Sequence, residues 1–133
     1  MWPEPVERIA AVLRTAAVQG RLEELPAGVE KPPSPNLRAA GFDCDGRSVV
    51  VLVPAERAID RDKLAAVASC VALRPAPAPE FPFAEARVFL DRSMLSARTV
   101  WLEAGSPRHA LGLAPAQLGR LTRAETPDVL LED

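Results

Sequence analysis

Five consecutive apolar residues, Val49-Val50-Val51-Leu52-Val53, constrain this chain more than any other feature. A strand sends alternate side chains to opposite faces, so an unbroken apolar run leaves no face for water. The run predicts a strand covered on both sides, and with it a sheet inside a layered fold. Just before it stands Asp45-Gly46, a pair that readily takes the positive φ angles of a tight turn, and a further apolar stretch precedes that. Residues 39–53 thus read as a hairpin whose second strand is central.

The remaining pattern mixes helices and strands. In residues 5–19, Val6, Ile9, Ala10, Leu13, Ala16 and Ala17 recur at helical spacing, with Pro5 suited to a first turn and Gly20 to a stop. Residues 21–25 alternate weakly, as a short strand would. Pro26, Pro32, Pro33 and Pro35 then forbid both helix and central strand. Asp60 can cap a helix reaching about residue 69, with Ile59 and Leu64 placed as a hydrophobic staple. Residues 71–73 form a short strand. Residues 74–82, with Pro75, Pro77, Pro79 and Pro82, form an extended loop that is either the rim of a site or a connector. Strands are predicted over 87–90, 99–102 and 111–113, a single helical turn over 93–96, and a helix over 115–122 with Leu118 and Leu121 inward. A last strand is predicted over 128–131. With no strict alternation of strand and helix, the fold class is α+β, a mixed and mostly antiparallel sheet or partial barrel flanked by helices. At 133 residues, the expectation is one domain spanning residues 1–133.

A net charge of −2 gives no global attraction to nucleic acid, so such a partner would need a local basic patch. Arg74, Arg87, Arg92, Arg98, Arg108, Arg120 and Arg123 are its candidate members; a solvated surface is the other reading. Two widely spaced cysteines, Cys44 and Cys70, make neither a disulfide framework nor a zinc pattern, and read as buried free thiols. The first residues lack a signal-peptide pattern and no apolar run approaches a membrane span, so a cytoplasmic protein without a membrane partner is expected. There is no metal cluster, no glycine-rich phosphate loop and no evident triad. Ser106 lacks a base beside it in sequence, which disfavours a serine nucleophile. No metal or cofactor is expected.

The order of motifs carries a resemblance. It runs from the hairpin closing in Val53-Pro54, through the Asp60 helix, to Leu90-Asp91-Arg92-Ser93, Gly105-Ser106-Pro107 and Pro115. This order resembles the YbaK-type aminoacyl-tRNA editing domain, also known as the prolyl-tRNA synthetase-associated domain. The resemblance implies a trans-editing deacylase that hydrolyses the ester at the 3′ end of a mischarged tRNA, often tRNA for proline. Such an ester is already activated, so the protein mainly positions water and stabilises the oxyanion with backbone N–H groups. The resemblance places the Gly105-Ser106-Pro107 loop in the pocket, with glycine allowing a close approach to ligand. It implies catalytic positions at Arg38, Gly105 and Ser106, and substrate contacts at Phe81, Phe83, Pro107, Arg108 and His109. The partner is mischarged tRNA rather than DNA; a homodimer is an open option.

Three departures bear on activity. Aligning on Phe42 and the Asp-Gly turn puts Arg38 where such domains carry a lysine. Arginine is planar and holds its proton more firmly; it could clamp a phosphate or a carbonyl oxygen, or be a solvated surface residue. The helix that normally precedes that position is replaced by the proline-rich stretch. Glu80-Phe81-Pro82-Phe83 lacks the usual glycines, and Ala114 stands where a Ser or Thr would cap the last helix. His109 falls one residue after the usual histidine position, which favours a structural or exposed role over a catalytic one. Asp91 reads as the cap of the turn at Ser93, with a role as base left open. The alternative function is therefore a catalytically degenerate binding module for an aminoacyl-tRNA end, an amino acid or a protein partner. A weaker third reading, a regulatory or dimeric interaction domain, rests on the proline-rich loops and Trp2 taken as exposed.

Overall fold

The computed structural model describes residues 2–132. Its elements in chain order are α1 (Glu4–Thr15), β1 (Arg21–Glu24), β2 (Leu37–Cys44), β3 (Arg47–Pro54), α2 (Arg61–Ala68), β4 (Leu73–Pro75), β5 (Arg87–Leu90), a 3-10 turn (Arg92–Ser96), β6 (Val100–Glu103), β7 (His109–Leu113) and α3 (Pro115–Thr122). They form a four-stranded sheet ordered β4-β2-β3-β5 and a three-stranded sheet ordered β1-β7-β6. All pairs are antiparallel except β3 with β5. The class is α+β, and the sheets do not close into a barrel. They meet where Asn36 bridges Trp101 and the Trp101 N–H donates to the Pro35 carbonyl at 3.0 Å.

The apolar run behaves as its lack of alternation requires. Val50 and Leu52 face one core, with Ile9 and Leu13 of α1, Leu111 and Leu113 of β7 and Leu118 of α3. Val49, Val51 and Val53 face a second core, with Phe42, Leu64 and Ala68. β5 divides likewise, Val88 and Leu90 into the first core and Phe89 into the second. The turn at Asp45-Gly46 has positive φ at both residues.

Local chemistry explains where element boundaries shift. α1 ends at Thr15, four residues before the expected limit, because Ala17 takes a positive φ and the Val18 N–H turns back to the Leu13 carbonyl. Asp60 caps α2, accepting from the N–H groups of Asp62 and Lys63. β4 begins at Leu73 rather than Val71, because the Asp45 carboxylate takes the Val71 and Ala72 N–H groups at 2.9 and 2.7 Å. The expected last strand is reduced to an isolated bridge between Ile59 and Leu130. There the Val129 N–H donates to the Asp91 carboxylate at 2.9 Å instead of to a ladder. As expected, Ala114 gives α3 no side-chain cap.

The cysteines correct the free-thiol expectation: Cys44 and Cys70 form a disulfide, with Cα atoms 5.5 Å apart. Asp45 gathers the chain after α2 onto the hairpin, which brings two residues 26 apart into bonding range. Trp2 is half-buried rather than exposed; its ring meets His109 edge-on at 5.8 Å between centroids. Among the described residues, no helix is long and apolar enough to cross a membrane.

Candidate functional site

A cleft of about 860 Å³ opens where the two sheets meet. Pro5, Arg8 and Ile9 of α1 form one side, and Leu37, Arg38 and Ala39 at the start of β2 another. Phe81 and Phe83 contribute the loop before β5, Leu102 and Glu103 the end of β6, and Gly105 the turn beyond it. Lys31 and Pro32 of the proline-rich stretch complete the rim. The stretch thus reaches the site through its middle and the loop at residues 74–82 through its end, as rim elements rather than plain connectors.

Phe83 is fixed from below. It is buried in the first core, meets Phe81 edge-on at 5.4 Å and has φ of 63°. A bulky residue in the left-handed region is strained, by about 1–3 kcal/mol, and persists only where its surroundings hold it. Core burial and hydrogen bonds from the Phe83 N–H to the Glu80 carbonyl and from the Ala86 N–H to the Phe83 carbonyl do so here.

Gly105 also has positive φ, 81°. A Cβ on Gly105 would lie 2.9 Å from the Pro5 carbonyl carbon and 3.0 Å from the Val6 nitrogen. Its missing side chain makes room for the first turn of α1, so the close approach is to this helix and ties α1 to the cleft floor.

Arg38 borders the cleft, but its guanidinium donates to the Arg57 carbonyl at 3.0 Å. Arg8 is engaged by Glu4 at 3.2 Å and Glu80 at 3.4 Å. Four carboxylates, Glu30, Glu56, Glu80 and Glu103, border the same space. Glu30, Glu56, Glu103 and Lys31 carry no sequence signal of their own, and Glu80 only through the loop it opens, because nothing local distinguishes a cleft glutamate from a solvated one.

Ser106, Pro107, Arg108 and His109 do not line the cleft. Contrary to the reading that Ser106 lacks a base, its Oγ lies 2.8 Å from His109 Nδ1. The turn closed by the His109 N–H on the Ser106 carbonyl brings residues three apart into contact. The same Oγ accepts the Arg108 N–H at 3.0 Å. His109 is buried at 5% exposure; its Nε2 has no hydrogen-bond partner and faces Glu24 at 3.7 Å. The array braces the base of the Gly105 loop rather than aiming a nucleophile into the cleft. Arg108 donates to the carbonyls of Leu25, Pro26 and Val29 at 2.6, 2.8 and 2.5 Å, latching the chain after β1. Arg87 and Arg120 are likewise committed, to Glu125 and to carbonyls at the end of α1, which removes them from a simple basic patch.

Asp91 is 1% exposed and accepts from the Ser93 N–H, the Ser93 hydroxyl and the Val129 N–H, so it serves as a cap. A smaller hollow of about 310 Å³ lies beside it. There Lys63 donates to Asp128 at 3.1 Å and to the Leu130 carbonyl at 2.9 Å. The Asp128 hydrogen bond holds the Lys63 ammonium above its ordinary pKa, and Lys63 in turn holds Asp128 below its own. These charges satisfy one another. Among the described residues, no group of three His, Cys, Asp or Glu side chains is arranged to hold a metal ion.

No protein-family model and no curated protein matches the chain. Solved structures do. A candidate trans-editing enzyme for prolyl tRNA synthetase superposes with a TM-score of 0.81 at 19% identity, covering 99% of this chain and all of that one. The fold is YbaK-like. A scaffold protein from epitope backbone grafting by computational design matches at TM-score 0.83 and 17% identity, over 99% and 100% of the two chains. A hypothetical protein, APE2540, matches at 0.79 and 16%, over 93% and 99%. At such identities the YbaK-like fold is what is shared. The first-core side of that fold, where α1 and the two sheets converge, is the side that carries the cleft.

Proposed function

We propose that the whole chain works as one YbaK-like domain, a trans-editing deacylase whose cleft takes the 3′ aminoacyl end of a mischarged tRNA, with tRNA for proline the first choice. The observation that carries this reading is the convergence of Arg38, Phe81, Phe83 and Gly105 on one cleft, in a fold shared end to end with a candidate editing enzyme. Phe81 and Phe83 supply apolar surface for an amino-acid side chain or the terminal base. The backbone around Gly105 supplies the dipoles that would stabilise an oxyanion as water attacks the ester. A free aminoacyl ester also carries an α-ammonium, which the bordering glutamates suit. The reading places the protein in the cytoplasm, where the Cys44–Cys70 pair would be held reduced, and involves no cofactor.

Deacylation of tRNA for proline charged separately with alanine, cysteine and serine tests the proposal. Wild type should hydrolyse at least one, and Arg38→Ala should lower the rate at least tenfold. A second reading, binding without turnover, is favoured by one contact: Arg38 is already hydrogen-bonded to the Arg57 carbonyl. Tight, salt-sensitive tRNA binding with no hydrolysis would select it.

A further inference from the structure

Three cations border the cleft, and two are engaged within the protein: Arg8 with Glu4 and Glu80, and Arg38 with the Arg57 carbonyl. Lys31 is the third. Among the described residues it makes no hydrogen bond and no ion pair, and its side chain is exposed at the rim.

Its backbone is held on both sides. Before it, the Val29 carbonyl accepts from Arg108 and the Val29 N–H donates to the Pro26 carbonyl at 3.0 Å. After it, the Pro35 carbonyl accepts the Trp101 N–H. Pro32 and Pro33 restrict the chain between these anchors. A lysine on such a segment loses less backbone freedom on binding than one on an unanchored loop.

We infer that Lys31 is the anion-contacting residue of this cleft, and, on the functional reading above, that it takes a phosphodiester of the tRNA's terminal nucleotides. An ammonium on a flexible stem suits phosphate as a point charge, without the planar matching an arginine fork would impose. The four bordering glutamates prevent a uniformly positive field, so attraction for an anion depends on one placed cation. Lys31 thus sets how the nucleotide end lies, while the residues around Gly105 meet the ester.

The test uses a 5′-phosphorylated cytidine-cytidine-adenosine trinucleotide as probe. Affinity is measured against salt for wild type, Lys31→Ala, Lys31→Arg and the control Arg14→Ala, an exposed cation outside the cleft. Lys31→Ala should bind about five- to tenfold more weakly, with the log–log salt slope reduced by about 0.7, the value for one released counterion on a single strand. Lys31→Arg and Arg14→Ala should stay within about threefold of wild type. Unchanged affinity and slope in Lys31→Ala, or no binding by wild type, would overturn the inference. Deacylation of full-length mischarged tRNA, followed in parallel, decides the functional reading separately. Turnover with an unaltered Lys31→Ala would sink the lysine and leave the enzyme, whereas phosphate-dependent binding without turnover would keep the lysine and remove the enzyme.

Discussion

Gly105 joins the packing of α1 to the lining of the cleft in a single residue. It sits in the left-handed region, and the space a methyl group would need is filled by Pro5 and Val6. Gly105→Ala should therefore destabilise the fold by about 1–3 kcal/mol, read as a lower denaturant midpoint, and should also slow deacylation. A variant as stable as wild type would show that α1 can move aside at little cost. At Asp45 it is charge that has a testable consequence. Its carboxylate lies below its ordinary pKa because the N–H groups of Val71 and Ala72 donate to it. A folded-state pKa below the unfolded one stabilises the protein above the ordinary carboxylate range, and the gain is lost as pH falls through the folded value. Thermal unfolding between pH 7 and pH 3 should show that loss, and Asp45→Asn should flatten the profile. An identical acid response in the variant would place the titrating groups elsewhere, for instance at Glu125, which Arg87 holds below its usual value.

Among elements, the hairpin was the most legible because its determinants are local: an apolar run, a turn pair and a strand on each side. The unalternating run also foretold the two cores, since no other arrangement spares Val49 to Val53 from water. What escaped the sequence was set by distant partners. Asp45 takes the N–H groups that a strand at residue 71 would have needed. Asp91 takes the one that a strand at residue 129 would have used. The Ser106–His109 contact depends on a turn closing over three residues, and the prolines around Lys31 signalled a break without showing that the break forms a wall. The resemblance names Arg38, Phe81, Phe83 and Gly105, and all four border the cleft. Ser106 to His109 belong to the brace behind it.

Over the whole molecule, the two cores divide the labour. The first carries the cleft; the second, between the four-stranded sheet and α2, carries the Cys44–Cys70 bond. Closing a loop of this length contributes about 2–4 kcal/mol in the chain-entropy account. Treatment with a reducing agent should accordingly lower the melting temperature by about 5–15 °C while leaving deacylation at moderate temperature within about twofold. A collapse of activity on reduction, with the fold intact, would show that the second core reaches the cleft. The bond also bears on where the protein lives. Glutathione-rich surroundings keep such pairs open, and an exported or periplasmic setting keeps them shut. Rapid alkylation of the protein as it leaves its host cell would therefore read its address from its chemistry: two tagged sulfurs mark a life spent beside the ribosome's tRNA pool, and none marks a life apart from it.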